Sequence, residues 1–226
     1  MQIDILPDAA SVAHAAARLV AAEAHAAVSA RGRFLLAVSG GQTPWEMLRA
    51  LASENLPWPA VHIFQVDERV APPAHADRNL THLCEALSHA PLQPEQIHAM
   101  PVEATDLAAA ADRYAAKLAQ LGGSPAVLDL VHLGLGADGH TASLVPDDPV
   151  LTVTDRDVAI TGEYQGRRRM TLTYPLINRT RQILWLATGA AKAPMLARLK
   201  AADPTIPAGR IRQDNAVILA DAAAAN

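Results

Sequence analysis

Leu128-Asp129-Leu130-Val131-His132-Leu133-Gly134-Leu135-Gly136-Ala137-Asp138-Gly139-His140-Thr141-Ala142-Ser143 joins an apolar run to a glycine loop that ends in Asp-Gly-His. The run Leu128 to Leu135 predicts a central strand covered on both faces, because a half-exposed strand would alternate apolar with polar residues. Open α/β sheets bind ligands in the crevice beyond the carboxyl ends of such strands. The loop therefore presents an imidazole where chemistry is expected. An imidazole changes charge near neutral pH, which suits His140 to act as a base, with Asp138 holding the ring or the loop in one orientation. The chain reads as an enzyme.

The segment Gly134-Leu135-Gly136-Ala137-Asp138-Gly139 also matches the G-x-G-x-x-G dinucleotide fingerprint. That fingerprint requires a full helix next, then a second strand ending in an acidic residue about 20 positions on. Pro146 and Pro149 cut such a helix short, and Asp155 and Asp157 sit in a polar stretch. The glycines are better read as letting backbone approach a small ligand, and no cofactor is expected.

Outward from this strand, short β-like runs alternate with alanine-rich helical ones across 226 residues. The pattern predicts an α/β fold in one domain over 1–226, a three-layer α/β/α sandwich with a mainly parallel, Rossmann-like sheet. Strands are expected at Gln2 to Leu6, Arg33 to Val38, Val61 to Val66, Leu128 to Leu133, Gln182 to Ala187 and Ala216 to Leu219, with weaker ones at Ile97 to Met100 and Met170 to Thr173. A first helix capped by Asp8 or Ser11 should run to about Ser29 and stop at Gly32. Others are expected from Pro44 or Trp45, and near 78–89, 105–121 and 189–200. Segment 146–168 carries no clear pattern, and the end from Ala220 is expected to fray.

Half the residues are hydrophobic, enough for a substantial core. A net charge of -4 argues against nonspecific binding to nucleic acid or anionic membranes. No apolar run approaches the roughly 18 residues of a membrane helix, and the start lacks a basic signal region, so a cytoplasmic location is expected. The single cysteine, Cys84, rules out an internal disulfide and, between Leu83 and Leu87, reads as a core thiol without a role.

Four further stretches lie at strand ends. Ser39-Gly40-Gly41-Gln42-Thr43-Pro44 suits an anion cradle, with accessible amides and a helix start, although it lacks the Lys-Ser/Thr of a P-loop. The plain alternative, compatible with the first, is a tight turn with Thr43 as N-cap and Pro44 first in the helix. Asp67-Glu68-Arg69, followed by Arg78-Asn79, is charged beyond a third strand end, where a solvated loop and a helix cap are the plain alternative. Lys192 follows another strand-to-helix junction; a cation there opposes the helix dipole, a small cost that an anion would relieve. Within Arg167-Arg168-Arg169, Arg169 begins a strand that can face the cleft. Nine scattered histidines lack a metal-binding spacing, and no H-E-x-x-H occurs, so no metal is implied.

Taken together, Ser39 to Pro44, Asp67-Glu68-Arg69 with Asn79, Gly134 to Ser143, Arg169-Met170-Thr171-Leu172-Thr173 and Gly189 with Lys192 resemble the 6-phosphogluconolactonase family, in that family's order. The resemblance implies a sugar-phosphate domain hydrolysing 6-phospho-D-glucono-1,5-lactone in the oxidative pentose phosphate pathway without a cofactor. It implies His140, Asp138 and Arg69 as catalytic, and Ser39, Gly40, Gly41, Gln42, Thr43, Asp67, Asn79, Arg169 and Lys192 as holding substrate. No covalent serine is implied, since the G-x-S-x-G elbow is absent. The related glucosamine-6-phosphate deaminases carry a loop like Asp-Gly-His-Ile-Ala-Phe-Asn-Glu-Pro; aligned on Asp-Gly-His, their glutamate falls on Val145, which cannot transfer a proton. They also favour Asp-Glu-Tyr over Asp67-Glu68-Arg69. A nonenzymatic sugar-phosphate sensor is a further alternative, although a sensor has no need of His140.

Overall fold

The computed structural model describes residues 1–225. Its first half runs β1 (Gln2–Leu6), α1 (Ala9–Arg31), β2 (Phe34–Val38), α2 (Gln42–Leu51), β3 (Val61–Gln65), β4 (Asp67–Arg69), α3 (Asn79–Ala86), β5 (Ile97–His98) and α4 (Leu107–Gly122). Its second half runs β6 (Leu130–Gly134), β7 (Val158–Ile160), β8 (Arg169–Leu172), α5 (Tyr174–Arg179), β9 (Gln182–Ala187), α6 (Ala193–Lys200), β10 (Ala216–Asp221) and α7 (Ala222–Ala225).

Seven strands form one sheet in the order β1-β10-β9-β6-β2-β3-β5, and every neighbouring pair is parallel. From β2 the chain steps outward through β3 to β5, then returns to the other side of β2 with β6 and steps outward again. Strand order therefore reverses between β2 and β6, the position where an open sheet forms a ligand crevice at its carboxyl edge. The loops that leave those two strands are Ser39 to Gly41 and Leu135 to His140.

Residues of each central strand alternate between two apolar layers. Phe34, Leu36 and Val38 face α1, α2 and α3, together with Val61, Leu130 and Leu184. Leu35 and Ala37 face the opposite layer, built with α4, α5 and α6 around Phe64, Val131, Leu133 and Trp185. Helix α1 buries Val12, Ala13, Ala16, Ala17, Val20, Ala21, Ala24 and Ala27, a stripe of period 3.6 whose small side chains let it lie close to α2 and the sheet. The Asp8 carboxylate caps it by accepting from Ser11 N–H at 2.7 Å. Gly32 ends it with φ +74, and its amide donates to Val28 O at 2.8 Å.

A second, three-stranded antiparallel sheet, β4-β8-β7, stands beside the carboxyl edge. It pairs Asp67 with Thr171 and Arg69 with Arg169, and so gathers charged residues from distant parts of the chain. The strand expected at Met170 to Thr173 corresponds to β8, Arg169–Leu172, whereas β4 and β7, of three residues each, are too short to show a period.

Several expectations are corrected. Helix α2 opens at Gln42, not at Pro44 or Trp45: Gly41 turns the chain at φ +135 and Trp45 N–H reaches its carbonyl at 3.1 Å. Thr43 is not the N-cap; its hydroxyl bonds that of Thr188 at 2.7 Å. Cys84 is exposed, because α3 turns Leu83 and Ala86 inward instead. Over 189–200 a 3-10 turn at Ala190–Lys192 precedes α6. The chain does not fray at Ala220, which is buried in β10 beside β9, and Ala224 is buried in α7. Segment 146–168 contains a 3-10 turn at Pro149–Thr152 and strand β7.

Candidate active site

A cleft of about 420 Å³ opens at the reversal point. Ser39, Gly40, Gly41, Gln42 and Thr43 line one wall, His140 and Lys192 another, and Asp67, Arg69, Asn79 and Arg169 a third. Asp138 lies behind His140. The residues that the resemblance marks as catalytic or substrate-holding thus lie at this cleft, or directly behind it in the case of Asp138.

The β6 loop is closed by two backbone bonds, Gly136 N–H to His140 O at 2.8 Å and Gly139 N–H to Gly136 O at 3.1 Å. Gly139 makes the turn with φ +81, a conformation that strains other residues. Asp138 Oδ1 accepts from His140 backbone N–H at 3.1 Å and lies 2.5 Å from Nδ1. Burial pushes the Asp138 carboxyl up, but the amide, charge and ring N–H of His140, with the Tyr164 hydroxyl, carry it below its ordinary value. An ionised carboxylate accepts from Nδ1–H, which leaves Nε2 as the lone-pair nitrogen. The fingerprint-like glycines are followed by no full α-helix before α5, and Asp157 pairs with Arg179 at 2.6 Å. The βαβ unit of a dinucleotide site is not completed.

On the opposite wall, β4 alternates. Asp67 and Arg69 line the cleft, whereas Glu68 is fully buried and caps α3, accepting from Asn79 N–H at 2.8 Å and Leu80 N–H at 2.9 Å. Glu68 also accepts from Gln65 Nε2 and from Arg69 N–H, and faces Arg78 Nε at 3.0 Å. Arg78 and Asn79 are accordingly buried rather than solvated, and the helix cap is Glu68. Ser143 Oγ donates to Asp67 Oδ2 at 2.7 Å, while Asn79 Nδ2 donates to the Asp67 backbone carbonyl at 3.0 Å and reaches Oδ1 at 3.5 Å, so the residue is held through both its main chain and its carboxylate.

Three cations converge. Arg169 is buried, with Nη2 on Gln165 Oε1 at 3.2 Å, and burial lowers its pKa. Arg69 Nη1 donates to Asp77 O at 2.7 Å. The Nε–H groups of both arginines are buried without a hydrogen-bond partner among the described residues, leaving donors for an anion. Lys192 Nζ donates to Leu135 O at 2.6 Å and so ties the β9 and β6 loops together. Arg167 turns away to Asp77 Oδ2 at 2.7 Å.

Sequence reasoning missed three groups. His132, on β6, has no exposed surface; its Nδ1 accepts from Ser39 N–H at 3.3 Å, and burial pushes its imidazole down to about 3. Read as part of an apolar strand, it carried no signal. Ser143 belongs to the quoted run but gained meaning only with Asp67 across from it. Tyr164 lies in the patternless segment, where only the hairpin register brings it to the cleft.

Residues 7–219 match the family model for glucosamine-6-phosphate isomerases/6-phosphogluconolactonase. A 6-phosphogluconolactonase of Synechocystis sp. is 39% identical over 211 residues, which cover 90% of this chain and 87% of that one. One from Nostoc sp. is 36% identical over 203 residues, covering 87% and 84%. The solved 6-phosphogluconolactonase of Trypanosoma cruzi has a TM-score of 0.87 at 26% identity, covering 99% of this chain and 95% of its own.

Proposed function

The chain belongs to the glucosamine-6-phosphate isomerase/6-phosphogluconolactonase family, and on that premise we propose that it hydrolyses 6-phospho-D-glucono-1,5-lactone to 6-phospho-D-gluconate. The observation that carries the reading is His140, whose Nδ1 is committed to Asp138 and whose Nε2 is left free on a cleft that also holds Arg69, Arg169 and Lys192.

His140 Nε2 takes a proton from water as the water oxygen attacks the C1 carbonyl. The carbonyl electrons become an oxyanion, stabilised by the nearby cations. Collapse breaks the bond between C1 and the ring oxygen, and the imidazolium returns its proton to that oxygen. The product carboxylic acid then ionises. Asp138 keeps the ring in the acceptor tautomer and stabilises the imidazolium. The amides of Gly40 to Thr43, at the start of α2, supply donors for phosphate, while the Ser39 amide is taken by His132. Arg69, Arg169 and Lys192 share the remaining negative charge. Asp67 and Asn79 orient this wall toward the sugar. Val145, buried and apolar, provides no second proton-transfer group of the kind a deaminase uses.

A cytoplasmic setting fits this reading; among the described residues no helix is long and apolar enough to cross a membrane. Turnover of freshly prepared 6-phosphogluconolactone, compared with glucosamine 6-phosphate, tests the proposal. Lactone hydrolysis well above the spontaneous rate with no ammonia release is the expected result. Deamination without lactonase activity would overturn it.

A further inference from the structure

Tyr164 sits where the two halves of the cleft meet. Its hydroxyl donates to Asp138 Oδ2 at 3.0 Å, on the carboxylate oxygen that His140 does not use. Its ring lies edge-on to the His140 imidazole, centroids 5.6 Å apart at 65°. The Arg169 guanidinium carbon stands 4.9 Å from the same ring's centroid. One side chain therefore touches the base, the carboxylate that orients it, and a cation on the opposite wall.

The backbone holds Tyr164 there. Tyr164 and Arg167 exchange backbone hydrogen bonds at 3.0 and 3.3 Å across a two-residue turn. Both turn residues have positive φ, Gln165 at +53 and Gly166 at +74, as in the tight hairpins whose twist matches paired strands. Gln165 bonds Arg169, and Arg167 ties the turn to Asp77. The hairpin tip is thus fastened on both sides.

We propose that Tyr164 is a positioning residue that locks Asp138 on His140 and sets the spacing between that base and Arg169. The inference rests on the lactonase reading for its kinetic consequences, but not for its structural one. A carboxylate held by donors on both oxygens cannot swing off Nδ1, so the ring stays in the tautomer with Nε2 free. The ring face also gives Arg169 an electrostatic floor that needs no counter-charge, and its Nε–H keeps no partner among the described residues.

Two variants separate the parts. Tyr164→Phe keeps the ring and loses the hydroxyl; Tyr164→Leu loses both. For Tyr164→Phe, kcat is expected to fall about tenfold with KM for the phosphorylated lactone little changed, since a bond to a charged group is lost away from the substrate. Tyr164→Leu should add a rise in KM of roughly two- to fivefold as Arg169 loses its support. Independently of activity, ¹⁵N shifts of the His140 imidazole should report the Nδ1–H tautomer alone in the parent and a mixture of tautomers in Tyr164→Phe. An unchanged tautomer together with an unchanged kcat in Tyr164→Phe would overturn the proposal. If the parent hydrolyses no lactone, the lactonase reading falls, and the tautomer measurement still decides the role of Tyr164.

Discussion

Gly136 and His140 hold one another across the β6 loop: the Gly136 amide donates to the His140 carbonyl at 2.8 Å, and the space where Gly136 would carry a Cβ is filled by the imidazole. A methyl group there would overlap Nδ1 and Cε1 and stand 2.7 Å from Asp138 Oδ1. The atoms in its way are side-chain ends, which can swing aside without disturbing the core. Gly136→Ala is therefore expected to lower kcat about ten- to hundredfold by displacing the base, with Tm changed by only a few degrees. A folded variant with near-normal kcat would show that the ring can act from another position.

Replacing His140 itself sets the upper limit of that loss. His140→Asn keeps a polar side chain of similar reach but removes the proton acceptor, and should cost about 10²- to 10⁴-fold in kcat while leaving Tm close to the parent's. Spontaneous lactone opening must be subtracted. Retention of most activity would place the base elsewhere.

For Lys192 the comparison is between substrates. Lys192→Met should reduce kcat/KM for the phosphorylated lactone about ten- to hundredfold, the worth of one charge-assisted contact, and leave unphosphorylated gluconolactone nearly unchanged. Equal losses on both substrates would instead point to its bond with Leu135 O, and hence to loop structure.

Acid sensitivity follows from two imidazoles outside the proposed chemistry. Burial pushes His132 down to about 3; burial, then the charges of His62 and Lys117, push His98 down to about 4. The unfolded chain takes up these protons near pH ~6.5, whereas the folded chain refuses them until pH falls much further. Their contribution to stability is thus full above about pH 6.5 and is lost as pH drops toward the folded values. Tm should decline between pH 7 and pH 5, a window above most carboxylate titrations, and His132→Leu should flatten the decline. A Tm that rises on acidification would contradict the sign.

The long apolar strands were legible because a buried parallel strand is a continuous hydrophobic run, as in Phe34 to Val38 and Gln182 to Ala187. Their glycine-rich exits located the cleft, since loops at a sheet's carboxyl edge must meet wherever strand order reverses. What could not be read was pairing. Nothing in Asp67-Glu68-Arg69 says that it lies against Arg169 to Thr171, nor that Glu68 points inward while its neighbours point out. Tyr164 was hidden for the same reason: its place depends on hairpin register, which a short turn between short strands does not announce. The exposure of Cys84 likewise reflects a helix phase that eight residues define poorly.

Glu68 accepts from four donors drawn from β3, β4 and the start of α3, the Gln65 side chain and three backbone amides, and forms an ion pair with the Arg78 guanidinium at 3.0 Å. A charge enclosed in this way cannot lose one partner cheaply, because an uncompensated buried ion costs about 3–5 kcal/mol. The rim that carries Asp67, Arg69 and Asn79 therefore has no small openings available to it: it is closed, or that whole quarter of the molecule has unfolded. Amide hydrogens at Arg69, Asn79 and Leu80 would then exchange with solvent only through cooperative opening of that quarter, far more slowly than through local fraying. On the proposed reading, such a wall would select its ligand by fit, as a rigid template does, and leave adaptation to the loops on the other side.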